Sequence, residues 1–105
     1  MGGKMIVRIF QVSIFEEKVD AFRRFFIETA IPLVKSQPGL VSLTAGLPRP
    51  DSPTEFSMVM VWENVDAIRA FSGEDWQQPH IDPAEAELVR DRRLSHYELA
   101  PALVP

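Results

Sequence analysis

Apolar residues alternate along two segments of the chain. Residues 5–12 (MIVRIFQV) and 55–63 (EFSMVMVWE) are mostly apolar at both alternating sets of positions. A period of two is typical of a β-strand, and apolar residues on both sides predict a strand that is covered on both faces. Weaker alternation over residues 40–46 and 91–99 predicts two more strands.

A long helix is predicted between the first two strands. Apolar residues recur there at steps of three and four, from Phe15 to Leu33. Ser13 and Glu16 have the spacing of a capping box, so the helix should begin near them. Pro32 lacks a backbone N–H and predicts a kink or a restart in the helix.

Two shorter helices are predicted after the third strand. Asn64 is a favourable helix cap and predicts a helix over residues 65–71. Asp82 is also a favourable helix cap, and Pro83 suits the first position of a helix. Together they predict a second short helix that runs to about Arg90.

This order of elements predicts an α+β fold. Strand, helix, strand, strand, helix, strand is the ferredoxin-like βαββαβ arrangement, with one antiparallel sheet and helices on one face. The other face would be open, yet the first and third strands are apolar on both sides. The simplest cover is the sheet of a second copy, which would close a dimeric α/β barrel around a cavity. We therefore expect a homodimer.

Composition and charge narrow the function classes. The chain has 105 residues, 46% of them hydrophobic, which suits one globular domain, placed at residues 5–100 with tails at 1–4 and 101–105. A net charge of -4 argues against nucleic acid as a partner. With no cysteine there can be no disulfide and no thiolate nucleophile. We expect no membrane association and a cytoplasmic location, because no apolar run approaches the roughly 20 residues of a membrane span.

Several short segments point to one family. They are the opening strand and residues 38–42 (PGLVS), 61–64 (VWEN), 66–71 (DAIRAF) and 96–98 (HYE). In these segments the sequence resembles the antibiotic biosynthesis monooxygenase family, and the resemblance extends over nearly the whole domain. The resemblance implies the dimeric α/β barrel fold. Members include cofactor-free oxygenases of phenolic or quinol-like compounds, haem-degrading enzymes, and small proteins with no settled activity.

The sequence departs from the family pattern at sites that matter for chemistry. Many members have a histidine near the end of the second helix, where this sequence has Phe71. The haem-degrading branch uses an asparagine, a tryptophan and a histidine, whose nearest equivalents here are Gln11, Phe71 and His80. Only the histidine matches, so haem degradation ranks below the other two functions. No glycine-rich phosphate cradle is present, and we expect no cofactor.

Candidate catalytic residues follow from what cofactor-free oxygenation requires. It needs a base that forms the reactive anion of the substrate, and donors that stabilise the developing charge. The two histidines, His80 and His96, are candidate bases, although each could instead be solvated or structural. Gln11 and Tyr97 are candidate donors. Tyr97 and His96 are adjacent in a predicted strand, so they cannot both point into one cavity.

Large apolar side chains are the candidate substrate-binding residues. They are Trp62, Met58, Met60, Trp76 and Phe71. The Met58, Met60 and Trp62 stripe lines either the barrel cavity or the helix layer, and such stripes are more often core packing. Trp76, in a predicted loop, is either a lid over the pocket or a plug into a neighbouring subunit.

The leading hypothesis is a cofactor-independent monooxygenase that acts on a small aromatic or quinol-like molecule. The alternative is a non-catalytic barrel protein that binds a small ligand or takes part in a stress response, which the Phe71 departure favours. No metal site is expected, because the two histidines have no carboxylate at ligand spacing.

Overall fold

Four strands form one antiparallel sheet in the order β2-β3-β1-β4. The computed structural model describes residues 4–79 and 81–101. The strands are β1 (Ile6–Ile14), β2 (Leu40–Gly46), β3 (Glu55–Trp62) and β4 (Val89–Glu98). This sheet, with helices after β1 and after β3, confirms the predicted ferredoxin-like α+β fold.

The segment between β1 and β2 is helical but changes geometry along its length. It comprises a 3-10 turn (Glu16–Lys18), α1 (Val19–Phe25), a π-helical segment (Phe26–Ala30) and α2 (Ile31–Lys35). At the end of the π-helical segment, the N–H of Ile31 donates to the carbonyl of Phe26, five residues earlier. The predicted break near Pro32 therefore takes the form of a wider helical segment just before the proline, which has no N–H to donate.

The long helix begins later than the capping-box spacing predicts. Ser13 lies in β1, between Asp91 of β4 and Glu55 of β3, and its Oγ is 3.4 Å from Oγ1 of Thr54. Helical structure starts at Glu16, with no side-chain cap. Because both neighbouring strands pair with Ser13, β1 extends through this residue, and Ser13 does not cap the helix.

The short helix α3 (Val65–Ser72) agrees with the prediction. Oδ1 of Asn64 accepts the N–H of Ala67 at 2.9 Å, which satisfies one of the free donors at the helix start. Gly73, with φ of 88°, ends the helix in the conformation that favours glycine. No helix in the described part of the chain is long and apolar enough to span a membrane.

The predicted helix from Asp82 to Arg90 is wrong. Residues 83–88 form turns, and β4 already begins at Val89. Val89 is buried and pairs with Ile14 of β1. The burial gained by adding Val89 to the sheet outweighs the local preference for a helix.

The helices cover the face of the sheet formed by the even-numbered residues of β1 and β3. Phe22 and Phe26 of the helical segment pack against Phe56 of β3, with ring centroids 4.8 and 5.2 Å away. The buried hydrophobic core comprises Val12, Ile14, Phe22, Phe26, Val34, Phe56, Met58, Met60, Trp62, Ile68 and Val89. The odd-numbered residues, which include Val7, Ile9, Val59 and Val61, lie on the opposite face and are half-buried or exposed.

Candidate functional site

An apolar cavity of about 80 Å³ lies between the sheet and the helical segment. Most of its wall is aromatic or aliphatic: Phe10, Phe22, Phe25, Phe26, Ala30, Leu33, Val34, Met58, Met60 and Phe71. The polar members of the wall are Arg8, Thr29, Asp82 and Glu85. Thr29 and Leu33 are exposed, so they mark the side on which the cavity reaches the surface.

Arg8 places a buried cation in this wall. It lies in β1 on the helix-facing side, and only 3% of it is exposed. Its Nη1 donates to the carbonyl oxygen of Trp76 at 2.6 Å and to Nε2 of His96 at 2.8 Å, and its Nη2 donates to Oγ of Ser72 at 3.1 Å. Burial lowers the pKa of Arg8 to about 10, so the guanidinium is still charged at neutral pH.

The contact with Arg8 determines the protonation state of His96. A guanidinium has only donors, so Nε2 of His96 must be an acceptor, and the neutral ring has its proton on Nδ1. Burial, together with the adjacent guanidinium, lowers the pKa of His96 below its ordinary value of 6.5. The ring of Trp76 packs edge-on against His96, with centroids 4.9 Å apart. This geometry favours a role for His96 in holding Arg8, and its predicted role as a base stays a prediction.

Two carboxylates reach the cavity from the turn segment, residues 82–88. Oδ1 of Asp82 accepts the N–H of Ala84 at 2.8 Å, and Oε1 of Glu85 accepts the N–H of Asp82 at 3.3 Å. Glu85 is only 4% exposed. The cavity thus has a cation on its sheet side and carboxylates on its turn side. No group of three or more His, Asp or Glu side chains that could hold a metal is found in residues 4–79 and 81–101.

The structure brings most of the predicted substrate-binding residues together. Met58, Met60 and Phe71 line the cavity. Trp62 is fully buried and stacks on Phe71 at 5.6 Å, one layer behind the wall. The methionine and tryptophan stripe therefore faces the helix layer, and not the side that a second copy would cover. Trp76 lies beside His96 and Arg8.

The other predicted catalytic residues are placed elsewhere. Gln11 and Tyr97 lie on the opposite face of the sheet, where Tyr97 is 56% exposed. This chain by itself therefore does not bring them to Arg8 or His96. His80 lies outside the described residues.

Sequence reasoning missed Arg8 and Glu85 as members of the cavity wall, and it interpreted Asp82 only as a helix cap. Arg8 is the only charged residue in the apolar segment 5–12, on the same side as Ile6 and Phe10, and that isolation was an available signal. Glu85 offered none, because it lies in a polar segment whose turn conformation local patterns did not predict.

A protein-family model matches most of the sequence. It is the model of the antibiotic biosynthesis monooxygenase family, and it matches residues 5–80. The chain belongs to the antibiotic biosynthesis monooxygenase family. The resemblance inferred from short sequence segments is thereby confirmed.

Solved structures similar to this member of the family span nearly its whole length. A Shewanella oneidensis protein has 19% identity and a TM-score of 0.75, with 91% of each chain covered. A Deinococcus radiodurans protein has 17% identity and a TM-score of 0.75, covering 95% of this chain and 97% of that one. SnoaB from Streptomyces nogalater, a cofactor-independent oxygenase, has 20% identity and a TM-score of 0.65, covering 96% and 98%. At these identities the likeness shows a shared fold. No curated protein matches the sequence.

Proposed function

We propose that this protein is a cofactor-independent monooxygenase that oxidises a small aromatic or quinol-like compound in the cavity between the sheet and the helices. The observation that carries the proposal is an apolar cavity with the buried guanidinium of Arg8 in its wall. Membership of the family and the fold shared with SnoaB support the same kind of reaction.

The size of the cavity favours a single-ring substrate. Its 80 Å³ is about half the volume of the engineered cavity of about 150 Å³ that binds benzene. One ring can therefore occupy it only by extending towards the exposed side, beside Thr29 and Leu33. A single-ring hydroquinone suits this space better than a fused tricyclic compound.

The reaction balances with molecular oxygen as the only co-reactant. A deprotonated hydroquinone passes one electron to O₂, and the two radicals combine into a peroxide with a new carbon–oxygen bond. Loss of water then breaks the O–O bond and leaves a hydroxyquinone. One oxygen atom enters the product and the other leaves as water, so all four electrons come from the substrate. In this scheme the apolar wall excludes bulk water, and Arg8 stabilises the negative charge of the anion and of the peroxide.

Oxygen uptake with an isotopic label tests this function. Purified protein, with a metal chelator and no added cofactor, is given a hydroquinone under ¹⁸O₂. We expect one labelled atom in each hydroxyquinone molecule. We also expect Arg8→Met to lose most of the rate, while Arg24→Met, on the exposed side of α1, keeps it. Ligand binding without label incorporation would support the non-catalytic alternative instead.

We also propose that a second copy of the chain covers the open face of the sheet. Val59 is 37% exposed there, next to the half-buried Val7, Ile9 and Val61. Four strands of 9, 7, 8 and 10 residues present roughly 550 Å² of sheet. That is most of the roughly 800 Å² per partner that a stable interface buries. An antiparallel sheet can pair face to face with its own copy about a two-fold axis.

A further inference from the structure

We propose that Arg8 binds the ionised oxygen of an aromatic weak acid, and that His96 is a positioning residue which holds the guanidinium for that ligand. The inference rests on the proposed function for the place where the ligand binds. It goes further by naming the ionisation state of the bound ligand and the residues that set it.

Arg8 has donors left over for a ligand. A guanidinium has five N–H groups. Its hydrogen bonds within the described chain use three of them, two on Nη1 and one on Nη2. Two N–H groups remain, the one on Nε and the second on Nη2, on a side chain that lines the cavity. Adjacent Nε–H and Nη2–H groups form the fork to which Arg commonly binds an anionic oxygen.

The groups that hold Arg8 are all uncharged. They are a backbone carbonyl, a serine hydroxyl and a neutral imidazole. These contacts orient the guanidinium, and among residues 4–79 and 81–101 no carboxylate forms an ion pair with it. In a low-dielectric wall, such a charge attracts a negative oxygen more strongly than it would in water.

The wall around Arg8 is largely apolar, which suits a ligand that enters in its neutral form. From the turn segment the wall receives the carboxylates of Asp82 and Glu85, and from the helical segment it receives no charged side chain within the described chain. A phenol can enter this largely apolar cavity neutral and become charged at Arg8, where a direct hydrogen bond from the guanidinium favours the phenolate.

His96 can hold Arg8 only while it is neutral. Protonation would place a second cation 2.8 Å from Nη1 and remove the acceptor. Any side chain with an acceptor at this position should preserve the alignment, whereas an apolar one should not. If His96 only filled space in the fold, a replacement with an acceptor and an apolar replacement would have the same effect on the pKa of the bound ligand.

The colour of a nitrophenol gives a direct readout of its ionisation. 4-Nitrophenol titrates near neutral pH and absorbs in the visible range only as the phenolate. We expect its pKa to be lowered by about one to two units when it is bound to the wild-type protein, the shift that corresponds to one hydrogen bond with a charged donor. Calorimetry in two buffers should show a proton released to the buffer on binding. The neutral analogue 4-nitroanisole should bind roughly tenfold to a hundredfold more weakly.

Variants separate the roles of the two residues. Arg8→Met should abolish the shift in the ligand's pKa, and the matched control Arg24→Met should keep it. His96→Gln offers an amide oxygen to Nη1 and should preserve most of the shift, whereas His96→Leu should lose it. If Arg8→Met does not fold, the wild-type titration and the two His96 variants still decide the matter.

The proposal and the oxygenase function can fail independently. It is overturned if 4-nitrophenol does not bind, if it binds as the neutral phenol, if 4-nitroanisole binds equally well, or if His96→Leu retains the full shift. Nitrophenolate binding with no labelled product from hydroquinone would refute the oxygenase function and leave the role of Arg8 intact.

Discussion

Filling the cavity should stabilise the protein and abolish ligand binding. Ala30 lines the cavity at the end of the π-helical segment, so Ala30→Leu adds three carbon atoms that point into the cavity. Leucine is nearly as favourable in a helix as alanine, and the local helical cost is a few tenths of a kcal/mol.

The size of the gain can be worked from the cavity volume. At about 24 cal/mol per Å³, removing 80 Å³ of cavity corresponds to about 1.9 kcal/mol. Burying three carbon atoms at about 0.8 kcal/mol each gives about 2.4 kcal/mol. The two routes agree, so we expect the free energy of unfolding to rise by about 2 kcal/mol.

Urea denaturation measures this change. The midpoint should rise while the dependence on urea concentration stays the same. Titration with 4-nitrophenol should show no binding to the same variant. Ala21→Leu makes the identical change at an exposed position of α1, and it should alter stability by less than about 0.5 kcal/mol and leave binding unchanged.

Two results would show that Ala30→Leu does not fill the ligand cavity. If Ala30→Leu is destabilised by 1 kcal/mol or more, the added side chain has met a wall that is already packed. If the variant is stabilised but still binds 4-nitrophenol, the ligand occupies a different site.

Three further changes probe other parts of the structure. Burial and the Arg8 guanidinium lower the pKa of His96, so between pH 6.5 and the lowered pKa the unfolded chain binds a proton that the folded chain does not. The free energy of unfolding, measured by urea denaturation, should therefore decrease as the pH is lowered through this window. In His96→Gln this decrease should be smaller. Val59→Glu puts a charge on the open sheet face and should give a monomeric mass in sedimentation; an unchanged dimer would place the interface elsewhere. Asn64→Ala removes the acceptor for the N–H of Ala67 and should lower the free energy of unfolding by about 1 kcal/mol, whereas Asn64→Asp, which keeps an acceptor, should stay close to wild type.

Local patterns failed where distant partners competed with them. Ser13 and Glu16 have the spacing of a helix cap, yet Ser13 is in β1 because β3 and β4 pair with it there. Asp82 and Pro83 have the character of a helix start, yet a strand begins at Val89, which is buried against the sheet. The strand partners of Ser13 lie more than 40 residues away in β3 and more than 70 residues away in β4, and the partner of Val89 in β1 also lies more than 70 residues away.

The sequence alone determined the four strands, the long helix with its break near Pro32, and the family. These depend on periods of two and of three to four residues and on short motifs, all of which are local properties of the chain. The tertiary structure decided which side of each strand faces the helices. Because neighbouring residues of a strand point to opposite faces, strand pairing put His96 beside Arg8 and sent Tyr97 to the other side. The cavity and its charges depend on contacts between segments that are far apart in the sequence, and no local pattern encodes those contacts.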